Sequence, residues 1–140
     1  MTGVNVSTLL EGTLTYSVTL TDAAGNAGTA VTATATLDKT APAGYSITAD
    51  DSLINASEAA TTSFTFTNAV VGATYSYTVT SSGGTATVTN TGTITAVNQQ
   101  VTGINVSTLP SGTLTYSVKL TDLVGNVGPA VTGQALLQMG

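Results

Sequence analysis

Acidic side chains are the residues of this chain whose type and spacing could do chemistry. Four of its seven acids, Asp38, Asp50, Asp51 and Glu58, fall between positions 38 and 58, and Thr-rich segments with almost no charge flank them. Calcium binds six to eight oxygen ligands, mainly from carboxylates and carbonyls. Neighbouring carboxylates repel each other unless a cation holds them together. The stretch from 38 to 58 therefore indicates a candidate calcium site.

A nearby turn enlarges this candidate set. The turn Asp22–Asn26 is expected to close one end of a β-domain, and Asp38 is expected to leave from a nearby strand end. The full set of candidate calcium ligands is Asp22, Asn26, Asp38, Asp50, Asp51, Asn55 and Glu58. The alternative is turn chemistry, because Asp and Asn bond their own backbone in turns and cap short helical turns such as 55–58. The sequence leaves both interpretations open.

Catalytic chemistry has little to build on. The chain has no His and no Cys, so its many Ser and Thr hydroxyls lack an imidazole to activate them. Paired carboxylates could serve a glycosidase, but sugar sites usually need aromatic walls, and only 5 % of the residues are aromatic, with no Trp. We therefore predict that the protein is not an enzyme.

The charge balance limits the partners. The net charge is −5, and Lys39 and Lys119 are the only basic residues. Binding to nucleic acid requires several Lys or Arg to displace counterions from phosphates, so we expect none. Anionic membrane surfaces are excluded on the same ground, and no apolar run approaches the roughly 20 residues of a membrane span.

An internal repeat sets the domain organisation. Residues 2–28 return as 102–128 at an offset of 100 positions, and only seven of the 27 aligned residues differ. A period of this length fits one β-sandwich domain per repeat. We predict a partial repeat at 1–37, a linker at 38–43 and a complete repeat at 44–140. Met1 falls where the second copy has Val101, so the chain is expected to be a piece of a longer protein.

Alternating apolar and polar residues predict the strands. In 112–122, Leu114, Tyr116, Val118 and Leu120 share one face, and Ser, Thr and Lys share the other. The predicted strands are roughly 44–49, 62–68, 73–81, 85–95, 99–107, 112–121 and 129–137. They predict an all-β fold, an immunoglobulin-like β-sandwich of about seven antiparallel strands, preceded by three strands of the partial repeat. Tyr116 could be a tyrosine corner or an ordinary core residue.

The partial repeat raises the question of what covers it. Three strands cannot bury their apolar face alone. The stretch 38–44 is also too short to return them to the body of the second repeat. If residues 1–37 are ordered, another element must cover them, such as a second copy of the chain.

These motifs resemble a known family. The turns TDAAGN (21–26) and TDLVGN (121–126), the opener LDKTAP (37–42) and the segment DDSLINASEA (50–59) are similar to bacterial Ig-like tandem repeats of giant surface adhesins, of the RTX and biofilm-associated type. The resemblance implies a secreted, extracellular stalk that holds a binding tip away from the cell, with calcium stiffening the joints between neighbouring repeats. The second copy departs from the pattern, since Gln138 replaces Asp38 and the apolar Leu123, Val124 and Val127 replace alanines at what we expect to be its distal end.

The leading hypothesis is therefore a structural spacer of an adhesin. One alternative is a binding module that grips a glycan or a protein with the loops at one end. Another is self-assembly, in which strands of residues 1–37 exchange with a second chain.

Overall fold

The computed structural model describes residues 2–140 and divides the chain into two compact units. Unit 1 ends at Thr40, and unit 2 comprises Ala41–Gly140. The strands of the described residues are β1 Gly12–Val18, β2 Val31–Leu37, β3 Ser46–Ala49, β4 Leu53–Asn55, β5 Thr62–Thr67, β6 Thr74–Ser81, β7 Thr87–Thr93, β8 Gln100–Ile104, β9 Gly112–Thr121 and β10 Val131–Gln138. One 3₁₀ helix, Ala59–Thr61, lies between β4 and β5.

Unit 2 is a sandwich of two sheets. One sheet has the strand order β4-β10-β9-β6-β7, and the other has the order β3-β5-β8. Every pair is antiparallel except β4 with β10, which run parallel. The seven strands predicted for this unit all form, and the predicted all-β sandwich is confirmed.

The core lies between the two sheets because each strand turns its apolar face inward. Leu114, Tyr116, Val118 and Leu120 of β9 are completely buried. Phe64 projects from the opposite sheet, and its ring centre lies 5.7 Å from that of Tyr77 and 6.0 Å from that of Tyr116. Aromatic rings at these separations pack edge-on or tilted, which fills a core densely.

The sequence did not reveal β4. The chain leaves the edge of one sheet after β3 and joins the other, where Leu53 pairs with Leu136 and Asn55 pairs with Gln138. Ile54 is buried, whereas Leu53 is exposed. Three residues are too few to show an alternating pattern, so the sequence predicts no strand between 49 and 62.

Unit 1 contains a single β-hairpin. β1 pairs with β2 from Gly12↔Leu37 at one end to Val18↔Val31 at the other. The prediction of a third strand was wrong for the described residues of this segment, because 2–7 form no strand. In unit 2 the equivalent strand, β8, is held by pairing with β5. The described residues of unit 1 include no counterpart of β5.

Tyr116 is a core residue and not a tyrosine corner. Its hydroxyl donates to Thr62 Oγ1 on the opposite sheet at 3.1 Å, and Thr62 Oγ1 donates to the carbonyl of Ile104 at 2.8 Å. A tyrosine corner would instead bond the backbone a few residues upstream. Burial raises the pKa of Tyr116, an effect that the hydrogen bond with Thr62 partly opposes.

Candidate functional site

The first candidate group, Asp22 and Asn26, forms a self-contained turn. Asp22 Oδ1 accepts the backbone N–H groups of Ala24 at 3.0 Å and Asn26 at 2.8 Å, and Asp22 Oδ2 accepts the Asn26 side chain at 3.0 Å. The bond from the Asn26 side chain, with the backbone bonds, lowers the pKa of Asp22. Asp122 and Asn126 form the same turn in unit 2. This is the turn chemistry that the sequence left open.

Strand pairing separates this turn from Asp38. The turn follows β1 at the Val18↔Val31 end of the hairpin, whereas Asp38 follows Leu37 at the Gly12 end. Six residue steps along a strand span about 20 Å. The expectation that Asp38 leaves near the turn was therefore wrong, because consecutive antiparallel strands place the turn and the exit at opposite ends.

At the Gly12 end, Asp38 meets an acid that the sequence analysis did not single out. Glu11 accepts from the Thr40 hydroxyl at 2.7 and 2.8 Å and from the Lys39 backbone N–H. Asp38 Oδ1 accepts the Thr40 N–H at 3.0 Å. The bonds from Thr40 and Lys39 lower the pKa of Glu11, and Thr40 thus donates to both Glu11 and Asp38.

Comparison of the two repeat copies could have linked Glu11 to Asp38. The second copy has Ser111 at the position of Glu11 and Gln138 at the position of Asp38, so both acids change together. Lys39 supports the same end of the hairpin, because its ammonium donates to the carbonyls of Ser7 at 3.1 Å and Leu9 at 2.9 Å.

In unit 2, Asp50 connects the strands of the smaller sheet. Its carboxylate accepts from Ser63 at 2.5 Å and Thr65 at 2.7 Å on β5, and from Gln100 at 2.9 Å on β8. Partial burial raises its pKa, but the three hydrogen bonds outweigh that effect, so the pKa is lowered. Asp51 lies next to it, between β3 and β4.

Asn55 and Glu58 stabilise the turn after β4. Asn55 Oδ1 accepts the backbone N–H groups of Ser57 at 3.0 Å and Glu58 at 3.1 Å, and Glu58 Oε2 accepts the Asn55 N–H at 3.2 Å. The 3₁₀ helix begins directly after this turn. Both side chains satisfy the backbone of one short helical turn, as in a capping box.

The candidate ligands therefore fall into several groups. Within each unit, the described residues contain no group of three or more acidic side chains that could hold a metal ion. The calcium site stays a prediction of the sequence.

The apolar turn of the second copy lies where the chain enters unit 2. Leu123, Val124 and Val127 are exposed on the turn between β9 and β10. The hydroxyl of Tyr45 donates to the carbonyl of Pro129, beside this turn. The expectation that these residues mark the distal end was wrong, because β10 runs from this turn to the opposite end of the unit.

No helix among residues 2–140 is long and apolar enough to cross a membrane. No pocket is found in the same residues.

Comparison with known proteins shows a likeness to a solved structure. No family model and no curated protein matches the chain. Among solved structures, it is similar to the crystal structure of a tetra-tandem repeat in the extending region of a large adhesion protein, with 30 % sequence identity and a TM-score of 0.57. The match covers 99 % of this chain and 34 % of that one, so the chain spans about a third of its length. The predicted resemblance to adhesin tandem repeats is confirmed.

Proposed function

We propose that this chain is a spacer module in the stalk of a secreted bacterial surface adhesin. The likeness to a repeat of an extending region, over 99 % of the chain, is the observation that carries the proposal. The 100-residue internal repeat supports it, since tandem copies are what a spacer requires. The proposed location is the extracellular face of the cell. The proposed role is mechanical and involves no catalysis.

The path of the chain through unit 2 suits this role. The chain enters near Tyr45, which bonds Pro129 before β10 begins. It leaves after β10, where Gln138 pairs with Asn55. Because entry and exit lie at opposite ends of the strands, repeats joined in tandem extend along one direction. A ten-residue strand such as β9 sets a length of about 34 Å.

Small-angle X-ray scattering on tandem arrays tests the spacer role. Arrays of one, two and four copies of residues 41–140 should increase in maximum dimension by about 35 to 40 Å per added copy. A compact or collapsed array would instead grow much more slowly than the number of copies. That result would contradict the spacer function.

Calcium at the joint is a finer part of the proposal. Glu11 and Asp38 both accept hydrogen bonds from Thr40, at the end of the hairpin that leads into the linker. Carboxylate oxygens are the ligands that calcium prefers, and extracellular calcium modules bind it at roughly 0.1 to 1 mM. We propose that this pair, and not the turn Asp22–Asn26, contributes to a calcium joint.

Isothermal titration calorimetry separates calcium binding from the spacer role. The native chain should bind calcium at roughly millimolar concentration or below. The double variant Glu11→Gln, Asp38→Asn should lose this binding, whereas Asp51→Asn should retain it. Absence of binding in the native chain would eliminate the calcium joint and leave the scattering test of the spacer unaffected.

A further inference from the structure

Force along a stalk would pass through the first and last strands of unit 2. If the chain is a spacer, as proposed above, tension enters at the linker before Tyr45 and leaves after Gln138. The chain enters as β3, crosses to the larger sheet as β4 and leaves as β10. These three strands therefore take the load first.

Of these strands, β4 and β10 are parallel neighbours. Leu53 pairs with Leu136, and Asn55 pairs with Gln138. The backbone N–H of Leu136 also donates to the carbonyl of Ser52, just before β4, at 2.9 Å. Tension draws β4 toward its N-terminal end and β10 toward its C-terminal end, and in a parallel pair these directions are opposite. The evenly spaced bonds of the pair are therefore loaded together in shear and do not open one after another.

Core packing reinforces this pair. Ile54 of β4 and its partner Leu137 of β10 expose 1 % and 0 % of their surface. β10 also contacts the opposite sheet so closely that a Cβ at Gly133 would lie 3.2 Å from the backbone nitrogen of Ala49 on β3. Sliding β4 along β10 must therefore withdraw Ile54 from the core as well as break backbone hydrogen bonds.

We propose that β4–β10 is a mechanical clamp, the contact that must rupture before unit 2 unfolds under tension. β3 lies on the same path, but it pairs with β5 alone, so its release leaves β4–β10 to bear the load. The clamp consists of backbone bonds and buried apolar side chains, so it needs no metal ion. It resists force along the strands and gives little resistance to force applied across them.

Constant-force unfolding of the full chain in two loading directions is the central experiment, with calcium chelated throughout. The chain contains no Cys, so handles can be attached at pairs of introduced thiols, at exposed positions. Handles at Ala43→Cys and Gly140→Cys load the clamp from its two ends, whereas handles at Ala43→Cys and Val124→Cys pull at the entry end alone. Because forced unfolding is governed by the unfolding rate, that rate at equal force should be at least about tenfold lower in the first direction.

Two matched substitutions separate the clamp from the general stability of the core. Ile54 and Ile94 both expose 1 % of their surface, but Ile94 lies between β7 and β8, away from the loaded strands. Under end-to-end load, Ile54→Ala should raise the unfolding rate at least about tenfold, because its contacts are lost when the clamp ruptures. Ile94→Ala should raise it less than about threefold, since its contacts persist at that point. A cooperative urea transition shows that each variant is folded.

Either of two results would overturn the proposal. Equal unfolding rates in the two loading directions would mean that the orientation of β4 and β10 relative to the force is immaterial. Equal acceleration by Ile54→Ala and Ile94→Ala would place the rupture in the core as a whole and not at β4–β10. Both results would leave the growth in length per copy in the scattering experiment unchanged, so the spacer function is tested separately.

Discussion

Three side chains donate hydrogen bonds to the carboxylate of Asp50, and they come from two neighbouring strands. The residue follows β3 directly, so its bonds to β5 and β8 hold the end of that short strand against the sheet. Hydrogen bonds to an ionised group are stronger than those between neutral groups. Asp50 therefore acts as a structural brace of the smaller sheet.

The stability of unit 2 should depend on pH through Asp50. Its pKa is lowered in the folded state, so the stabilisation is complete above the unfolded value of about 3.9 and disappears as the pH falls through the folded value. At pH 7 we expect Asp50→Asn to cost roughly 1 kcal/mol, since the residue is exposed and solvent screens its bonds. Urea unfolding at pH 7 and pH 3 measures both effects.

The contrast with a neighbouring acid makes this test specific. Asp51→Asn removes the same charge one residue away and leaves the bonds to Ser63, Thr65 and Gln100 in place. The stability difference between native chain and Asp50→Asn should shrink as the pH falls below about 4. A constant difference across the pH range would contradict the role given to the ionised carboxylate.

At the scale of elements, β4 contributes more to stability than its three residues suggest. Ile54 is buried, and its strand extends the larger sheet by pairing in parallel with β10. Ile54→Ala should destabilise unit 2 by about 2 to 5 kcal/mol, the range for removing a large aliphatic side chain from a core. Leu53→Ala, at the exposed neighbouring position, should cost less than about 0.5 kcal/mol. Equal effects in chemical denaturation would show that β4 is not fixed in the sheet.

The sequence predicted the strands in which apolar and polar residues alternate. It failed where a segment's structure depends on pairing with a neighbouring strand. β9 alternates over ten residues, so both its extent and its buried face could be predicted. β4 is too short to alternate. Residues 2–7 repeat the sequence of the β8 region, but they have no strand such as β5 to pair with. Nearly the same sequence therefore forms a strand in unit 2 and none in residues 2–7.

The candidate metal site was predictable only as a set of residue types. The sequence showed that the acids lie near the junction, but their distances depend on strand pairing. Pairing placed Asp22 and Asp38 at opposite ends of one hairpin and brought Asp38 to Glu11. Neither result follows from spacing along the chain.

At the scale of the whole molecule, the two units differ in how much surface they bury. Unit 2 has a closed core, whereas the hairpin of unit 1 exposes Val18 and Val31. The dependence of unfolding free energy on urea concentration, the m value, scales with the surface exposed on unfolding. In dilute solution, the full chain and residues 41–140 should therefore have nearly equal m values, although their lengths differ by 40 residues.

Comparison of the two chains distinguishes this prediction from a stable fold of unit 1. If residues 2–40 buried surface on their own, the m value of the full chain would exceed that of 41–140 roughly in proportion to length, even at micromolar protein. An excess that survives dilution would mean that unit 1 has a core of its own.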